Sequence, residues 1–238
     1  MDTHLHYDKH IHKEEHLKSS DVLRDIVIGM SDGLTVPFAL AAGLSSANAS
    51  TSIIVIAGIA EICAGSIAMG LGGYLAGKTE SDHYETELKR EFYEVDHLRH
   101  KEIEETKEFF ANIGLSEELQ DRATEEIAQD KKQWVDFMMK YELGLDKPDP
   151  KRATKSALNI GISYIVGGLI PLSPYFFIAQ PVEGLKISVI VTLFCLFIFG
   201  WFKSRITGVN VWGGAVRVTL IGAAAAAAAF GVAKLFEG

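Results

Sequence analysis

Five stretches of the chain are almost wholly apolar, and each approaches the ~20 residues a helix needs to cross ~30 Å of hydrocarbon. They run over residues 26–47, 53–76, 157–179, 182–202 and 211–236. Between the second and third the pattern changes. Residues 80–150 hold 21 acidic and 10 basic side chains, a charge of −11. The rest of the chain holds 10 acidic and 13 basic residues, a charge of +3. This segregation, hidden in averages of 48% hydrophobic and 23% charged, predicts an all-α polytopic membrane protein. It has five transmembrane helices and a helical acidic insert between spans two and three. The alternative is a soluble core of buried helices, but five such runs leave too little polar surface to cover them.

The chain divides accordingly into a His-rich tail (1–20), spans one and two (21–79), the acidic module (80–150) and spans three to five (151–238). Basic residues near the span ends set the orientation. Arg24, Lys78, Lys151, Arg152, Lys155, Lys203 and Arg205 fall on one side. The loop between spans one and two has no Lys or Arg, and the loop between spans three and four has only Lys186. The N-terminus and the acidic module are therefore expected in the cytosol. Trp201 and Trp212 flank the loop between spans four and five, as interfacial aromatics do. Cys63 and Cys195 sit in apolar runs and imply no disulfide framework.

Within the acidic module, residues 81–113 read as one long helix without proline. Ser116 before Glu117 and Glu118 reads as an N-cap with acids in the first turn. That second helical region extends to about residue 143, as one helix or two, and Pro148 and Pro150 break the chain before the third span. The first region can continue span two directly. In the tail, His4, His6, His10, His12 and His16 either bind metal loosely or belong to a disordered segment.

Ionisable groups inside a span are costly and mark pathways. Asp32 and Glu61 are two such groups; the alternative for each is a structural hydrogen bond. Pro37 cannot donate a backbone hydrogen bond, so the Gly33 carbonyl beside Asp32 loses its helical partner. A broken helix with a carboxylate is a transporter device. At 1.5 Å per residue Asp32 lies ~15 Å and Met69 ~10 Å from the cytosolic ends of their spans, with Glu61 ~12 Å further along. A thioether beside a carboxylate suits a transition ion better than Ca²⁺ or Mg²⁺. Taken alone, Met69 is also an ordinary packing residue.

In the module, Glu91, Glu94, Glu102 and Glu105 fall on one helical stripe at 100° per residue, while Glu104 and Glu108 point elsewhere. Such carboxylates repel one another unless a cation lies between them. Met138 and Glu142 share a face of the next helical region, with Met139 beside them. The two faces together make a metal site of carboxylates and thioethers; the competing reading is a solvated charged face. Glu80 with His83, and Glu94 with His97, have the Glu-x-x-His spacing of di-iron carboxylate enzymes. A membrane-tethered ferroxidase is therefore one rival, and a passive divalent-metal channel another. The insert is short for a four-helix di-iron bundle, and span carboxylates suit proton coupling, so a secondary transporter rather than an enzyme is expected. Gly29 with Gly33, and Ala39 with Gly43, are small-xxx-small pairs that suggest dimer packing through the first span.

At these residues the chain resembles the plant vacuolar iron transporter family. The resemblance lies in Asp-Gly-Leu-Thr-Val-Pro-Phe-Ala-Leu-Ala-Ala-Gly-Leu at 32–44, in Glu61, and in Ile-Ala-Met-Gly-Leu-Gly-Gly-Tyr-Leu-Ala at 67–76. It implies a multi-pass protein of the vacuolar membrane that moves cytosolic Fe²⁺ inward in exchange for H⁺. It implies a homodimer with its pathway between the first spans of the two subunits. It further implies pathway residues Asp32, Glu61 and Met69, and a cytosolic metal-binding domain with ligands Glu91, Glu94, Glu102, Glu105, Met138, Met139 and Glu142. Fe²⁺ is then substrate and domain ligand rather than a permanent cofactor, with Zn²⁺, Mn²⁺ and Co²⁺ as further candidates. The expected partners are lipid, metal ions, protons and a second copy, and no nucleic acid.

Overall fold

The computed structural model describes residues 20–236, and every regular element among them is helical. The His-rich tail lies outside the described residues. The elements are α1 (Ser20–Ser46), α2 (Thr51–His97), α3 (Arg99–Asn112), α4 (Glu117–Ile127) and α5 (Lys131–Phe137). A π-helical turn (Met138–Glu142) follows, then α6 (Arg152–Leu172), a 3₁₀ turn (Ser173–Phe176), α7 (Pro181–Ile206) and α8 (Val211–Phe236). Five of them, α1, α2, α6 with its 3₁₀ turn, α7 and α8, are long and apolar enough to cross a membrane. At 47 residues, α2 measures ~70 Å, more than twice the ~30 Å hydrocarbon core. Its apolar part ends near Ala76, and the charged turns that follow extend beyond what a bilayer core covers.

The chain forms two compact units. One comprises the described residues up to Cys63 together with those from Ile162 onward; the other is Ala64–Gly161. In the first unit, small residues let helices approach closely. A Cβ at Gly33 would lie 2.3 Å from the Tyr164 carbonyl oxygen, and one at Gly43 would lie 3.4 Å from that of Ala229. These two glycines, Gly33 and Gly43, face α6 and α8 of the same chain. Polar side chains join the helices at their ends. Ser188 donates to the Pro171 carbonyl at 2.7 Å, and Ser45 and Tyr175 share a hydrogen bond of 2.9 Å.

Pro37 does not interrupt α1, which stays helical through it. The expectation of a broken helix is not met, and close packing surrounds the turn. Gly168 brings α6 onto the Pro37 ring and Ile62, and Phe38 beside it is 1% exposed. Losing one hydrogen bond is tolerated where neighbouring helices enclose the turn.

In the second unit, Gly70, Gly73 and Gly77 of α2 carry the first turns of α6. Added Cβ atoms would meet Ala157 O at 3.0 Å, Ile160 Cδ1 at 2.6 Å and Ala153 Cα at 2.8 Å. The remainder is built on Trp134, which is fully buried with Val95, Ala128, Val135, Met138 and Met139. Arg99 covers the indole, its guanidinium 4.9 Å from the ring centroid, and donates to the Ala128 carbonyl at 2.9 Å. Asp130 caps α5 by accepting from the Lys132 and Gln133 amides. Ser116 stands at the start of α4 as expected but makes no side-chain cap there.

The long helix expected over 81–113 is broken at Leu98, whose φ of −123° and ψ of 28° leave the helical region. No glycine or proline marks the spot. On either side of the break Val95 and Ile103 pack on the same core.

Candidate functional site

The last turns of α2 carry Glu91 and Glu94, and α3 carries Glu102 and Glu105. The Leu98 bend brings one carboxylate oxygen from each of Glu91, Glu94 and Glu102 within 4.8 Å of one another. Glu102 is 0% exposed and Glu91 5%. Both oxygens of Glu102 and Oε2 of Glu91 are buried without a hydrogen-bond partner among the described residues. Buried carboxylate oxygens normally have partners, so three orphans in one cluster form an arrangement that could hold a cation. Glu94 accepts from Arg90 Nε at 3.2 Å, and Glu105 is held by Lys101 at 2.9 Å. Glu105 and Glu142 line an adjoining cavity of about 280 Å³ with Glu108, Phe109, Asn112 and Tyr141.

Glu108, which the helical period placed elsewhere, also lines this cavity. It does so from α3 together with Glu105, whereas Glu104 turns to His100 at 3.4 Å in solvent. Met138 contacts Thr106, which bonds the main chain of Glu102 rather than its carboxylate. The Trp134 indole donates to Thr106 Oγ1 at 2.8 Å, and that hydroxyl lies 2.7 Å from the Glu102 carbonyl and 3.3 Å from Met138 Sδ. Met139 is buried in the Trp134 core. His97 stacks on Tyr93 at 4.1 Å, and its Nδ1 lies 2.9 Å from that residue's carbonyl. It takes no place in the cluster, so the Glu-x-x-His spacing at 94–97 does not build a di-iron site here.

Burial, then repulsion from neighbouring carboxylates, pushes Glu91 and Glu102 up to about 7 from 4.5. Glu142, at the exposed rim, is raised for the same reasons, with Lys101 opposing. A cation bound in the cluster would therefore compete with protons near neutral pH. Metal affinity is expected to fall as pH drops through about 7, and metal binding near neutrality should release protons. Calorimetry in buffers of different ionisation enthalpy measures both. Without metal, the folded protein holds these protons up to about 7, and the unfolded chain loses them near 4.5. Metal-free stability from these two groups therefore falls as pH rises through that window, and bound metal should restore it.

Thr106→Val is a second test. It leaves the Trp134 N–H buried without an acceptor, a cost of about 1–3 kcal/mol visible in thermal unfolding. It also frees Met138, and metal affinity should fall about 10-fold, the low end for an outer-shell partner.

In the other unit, Asp32 is half-buried on α1, directly before Gly33, which packs on the Tyr164 backbone. The Tyr164 hydroxyl donates to Glu61 Oε1, and Glu61 Oε2 is buried without a partner among the described residues. Tyr164 thus orients one of the two span carboxylates, a role that no local pattern in the sequence signals. Met69 is half-buried on α2 and belongs to the second unit.

Five helices long and apolar enough to cross a membrane define a polytopic membrane protein. The chain belongs to the VIT family, whose model matches residues 23–234. Vacuolar iron transporter 1 of Tulipa gesneriana is 51% identical over 219 residues, covering 92% of this chain and 89% of that protein. A vacuolar iron transporter of Centaurea cyanus is 54% identical over 216 residues, covering 91% and 88%. Protein CCC1 of Saccharomyces cerevisiae is 41% identical over 224 residues, covering 90% and 69%. The resemblance read from residues 32–44 and 67–76 is thereby borne out.

Proposed function

We propose that this chain carries Fe²⁺ from the cytosol into the vacuole in exchange for protons, and that Mn²⁺, Co²⁺ and Zn²⁺ can follow the same route. Residues 21–79 and 151–238 form the five spans, and 80–150 form a cytosolic metal-binding module. The N-terminus lies on the same side, and two copies form the working unit. The buried orphan oxygens of Glu91 and Glu102, gathered with Glu94, carry this reading. A protein with no use for a cation has little reason to hold them there. The names of the relatives support iron as cargo and the vacuole as destination.

The module collects the ion. Glu91, Glu94, Glu102, Glu105 and Glu142 supply hard oxygens, and Met138 supplies a thioether that favours a transition metal over Ca²⁺ or Mg²⁺, while Met139 packs in the Trp134 core. Asp32, Glu61 and Met69 carry the ion through the spans. Hydrocarbon disfavours a bare carboxylate charge, and either a proton or a cation relieves it. The two therefore exchange on one group, which is the requirement of an antiporter. Tyr164 holds Glu61 in position for both.

Purified protein in sealed vesicles tests this. An imposed acidic lumen should drive Fe²⁺ above its external concentration, and each increment of metal should bring protons out. A passive channel would equilibrate the metal regardless of the pH gradient. Uptake that ignores the gradient would overturn the exchange mechanism.

A further inference from the structure

We propose that the corner between α7 and α8 holds the phosphate headgroup of an anionic membrane lipid. A cavity of about 520 Å³ opens there, with Lys203, Ser204, Thr207, Asn210, Gly214 and Arg217 among its lining residues. Both ionisable side chains in the lining are cations, and none is an acid. Neither Lys203 nor Arg217 makes an ion pair among the described residues. The last three spans themselves supply little compensation. Between residues 151 and 236 the only acid is Glu183, and it pairs with Lys186 at 2.7 Å. A cavity of this sign repels a metal cation and stands apart from the transport chemistry.

Arg217 is the telling residue. It lies six positions, ~9 Å, past the start of α8, exposed beside Val216 and Leu220, which are 47% and 63% exposed. An arginine on the apolar surface of a span is costly without a counter-charge. Trp201 and Trp212, on either side of the loop, place this end at the membrane interface. A phosphate at that level accepts two hydrogen bonds from a guanidinium and more from an ammonium. Further donors converge on the same space. Asn210 Oδ1 caps α8 by accepting from the Trp212 and Gly213 amides at 3.1 Å, which leaves its side-chain NH₂ as a donor. The N-terminal end of α8 adds its positive dipole.

The opening itself depends on Gly214. A Cβ there would lie 1.7 Å from Ser204 Oγ, so any larger residue would push the buried Ser204 aside and disturb the cavity. Val209 and Val218 give the lining an apolar side. A lipid fits this combination better than a soluble anion, because its chains remain in hydrocarbon while its phosphate meets the two cations. Basic pockets between spans are used in this way.

The full-length protein in neutral detergent provides the test, by native mass spectrometry and thermal unfolding. Dioleoylphosphatidylserine should be retained and should raise the unfolding temperature, and dioleoylphosphatidylcholine should do neither. The K203Q/R217Q variant should retain the anionic lipid at least about tenfold less well, and K203R/R217K should retain it. Millimolar inorganic phosphate should not displace it. Equal retention of the two lipids by the wild type overturns the proposal, whether or not the Gln variant folds. So does unchanged retention by a folded K203Q/R217Q protein. Stabilisation by inorganic phosphate alone, with displacement of the lipid, assigns the cavity to a soluble anion and overturns it as well.

Discussion

Asn in place of Asp32, or Gln in place of Glu61, is expected to remove uphill iron accumulation while leaving a folded protein in the membrane. Both substitutions keep the shape of the side chain and delete its titration. If the proton and the metal exchange on these groups, a neutral amide can carry neither, and an imposed acidic lumen no longer drives uptake. The loss should be at least about 10–100-fold, a range typical even of outer-shell partners in metal sites. The two substitutions should differ in one respect. Glu61 accepts from the Tyr164 hydroxyl, and Gln can still accept through its amide oxygen, so Glu61→Gln should preserve that link. Tyr164→Phe separates orientation from titration. It leaves the Glu61 charge in place and should slow transport without abolishing its response to the gradient. Accumulation at the normal rate by either folded neutral variant would show that the residue holds helices together and does no more.

The second large effect is expected at the acidic cluster. Glu102→Ala with Glu105→Ala removes the most deeply buried carboxylate and the one that joins the cluster to the neighbouring cavity. Divalent-metal binding to the module should fall by at least about 100-fold, two ligands being lost where one outer-shell partner already costs 10–100-fold. Calorimetry on the full-length protein with Fe²⁺ or Mn²⁺ reads this loss directly. Metal-free stability should move the other way. Glu102 is held near neutral pH with its charge disfavoured by burial and by Glu105, Glu91, Glu94 and Glu142. Removing it relieves that repulsion, so the metal-free variant should lose less stability between pH 5 and 8 than the wild type. Transport should slow without stopping, since the cluster lies outside the apolar stretches. Binding that survives both substitutions would restore the reading of a solvated charged face.

Glu108→Gln refines this picture. The side chain faces the cavity shared by Glu105 and Glu142, so its neutralisation should weaken binding of an ion seated there and leave the socket of Glu91, Glu94 and Glu102 occupied. A metal titration with two resolved phases would show the first phase intact and the second weakened.

Much of this protein was legible along the chain. The five spans follow from apolar runs alone, because a helix in hydrocarbon must satisfy its backbone internally and present apolar side chains all round. Asp32 and Glu61 stood out because charge in such a run is costly. Glu91, Glu94, Glu102 and Glu105 were visible as a stripe because the helical period is local. The direct continuation of span two into the acidic module was legible too, since little interrupts the helix at Gly77 and Lys78, and α2 runs through both. Other features depend on which faces meet, and no local period encodes that. The Leu98 break has no glycine or proline; Val95 and Ile103 pack on the Trp134 core on either side of it. Glu108 joined the cavity only when α3 turned toward Tyr141. Gly33 read as half of a small-residue pair, and the backbone it faces, that of Tyr164, lies 131 residues away. The Tyr164 hydroxyl on Glu61, and the line from Trp134 through Thr106 to Met138, join residues far apart in sequence. The sequence determined which segments meet lipid and which carry acid. Tertiary packing decided which carboxylates share an ion and what holds them, because a buried charge takes its partners from whatever the fold brings within a few ångströms.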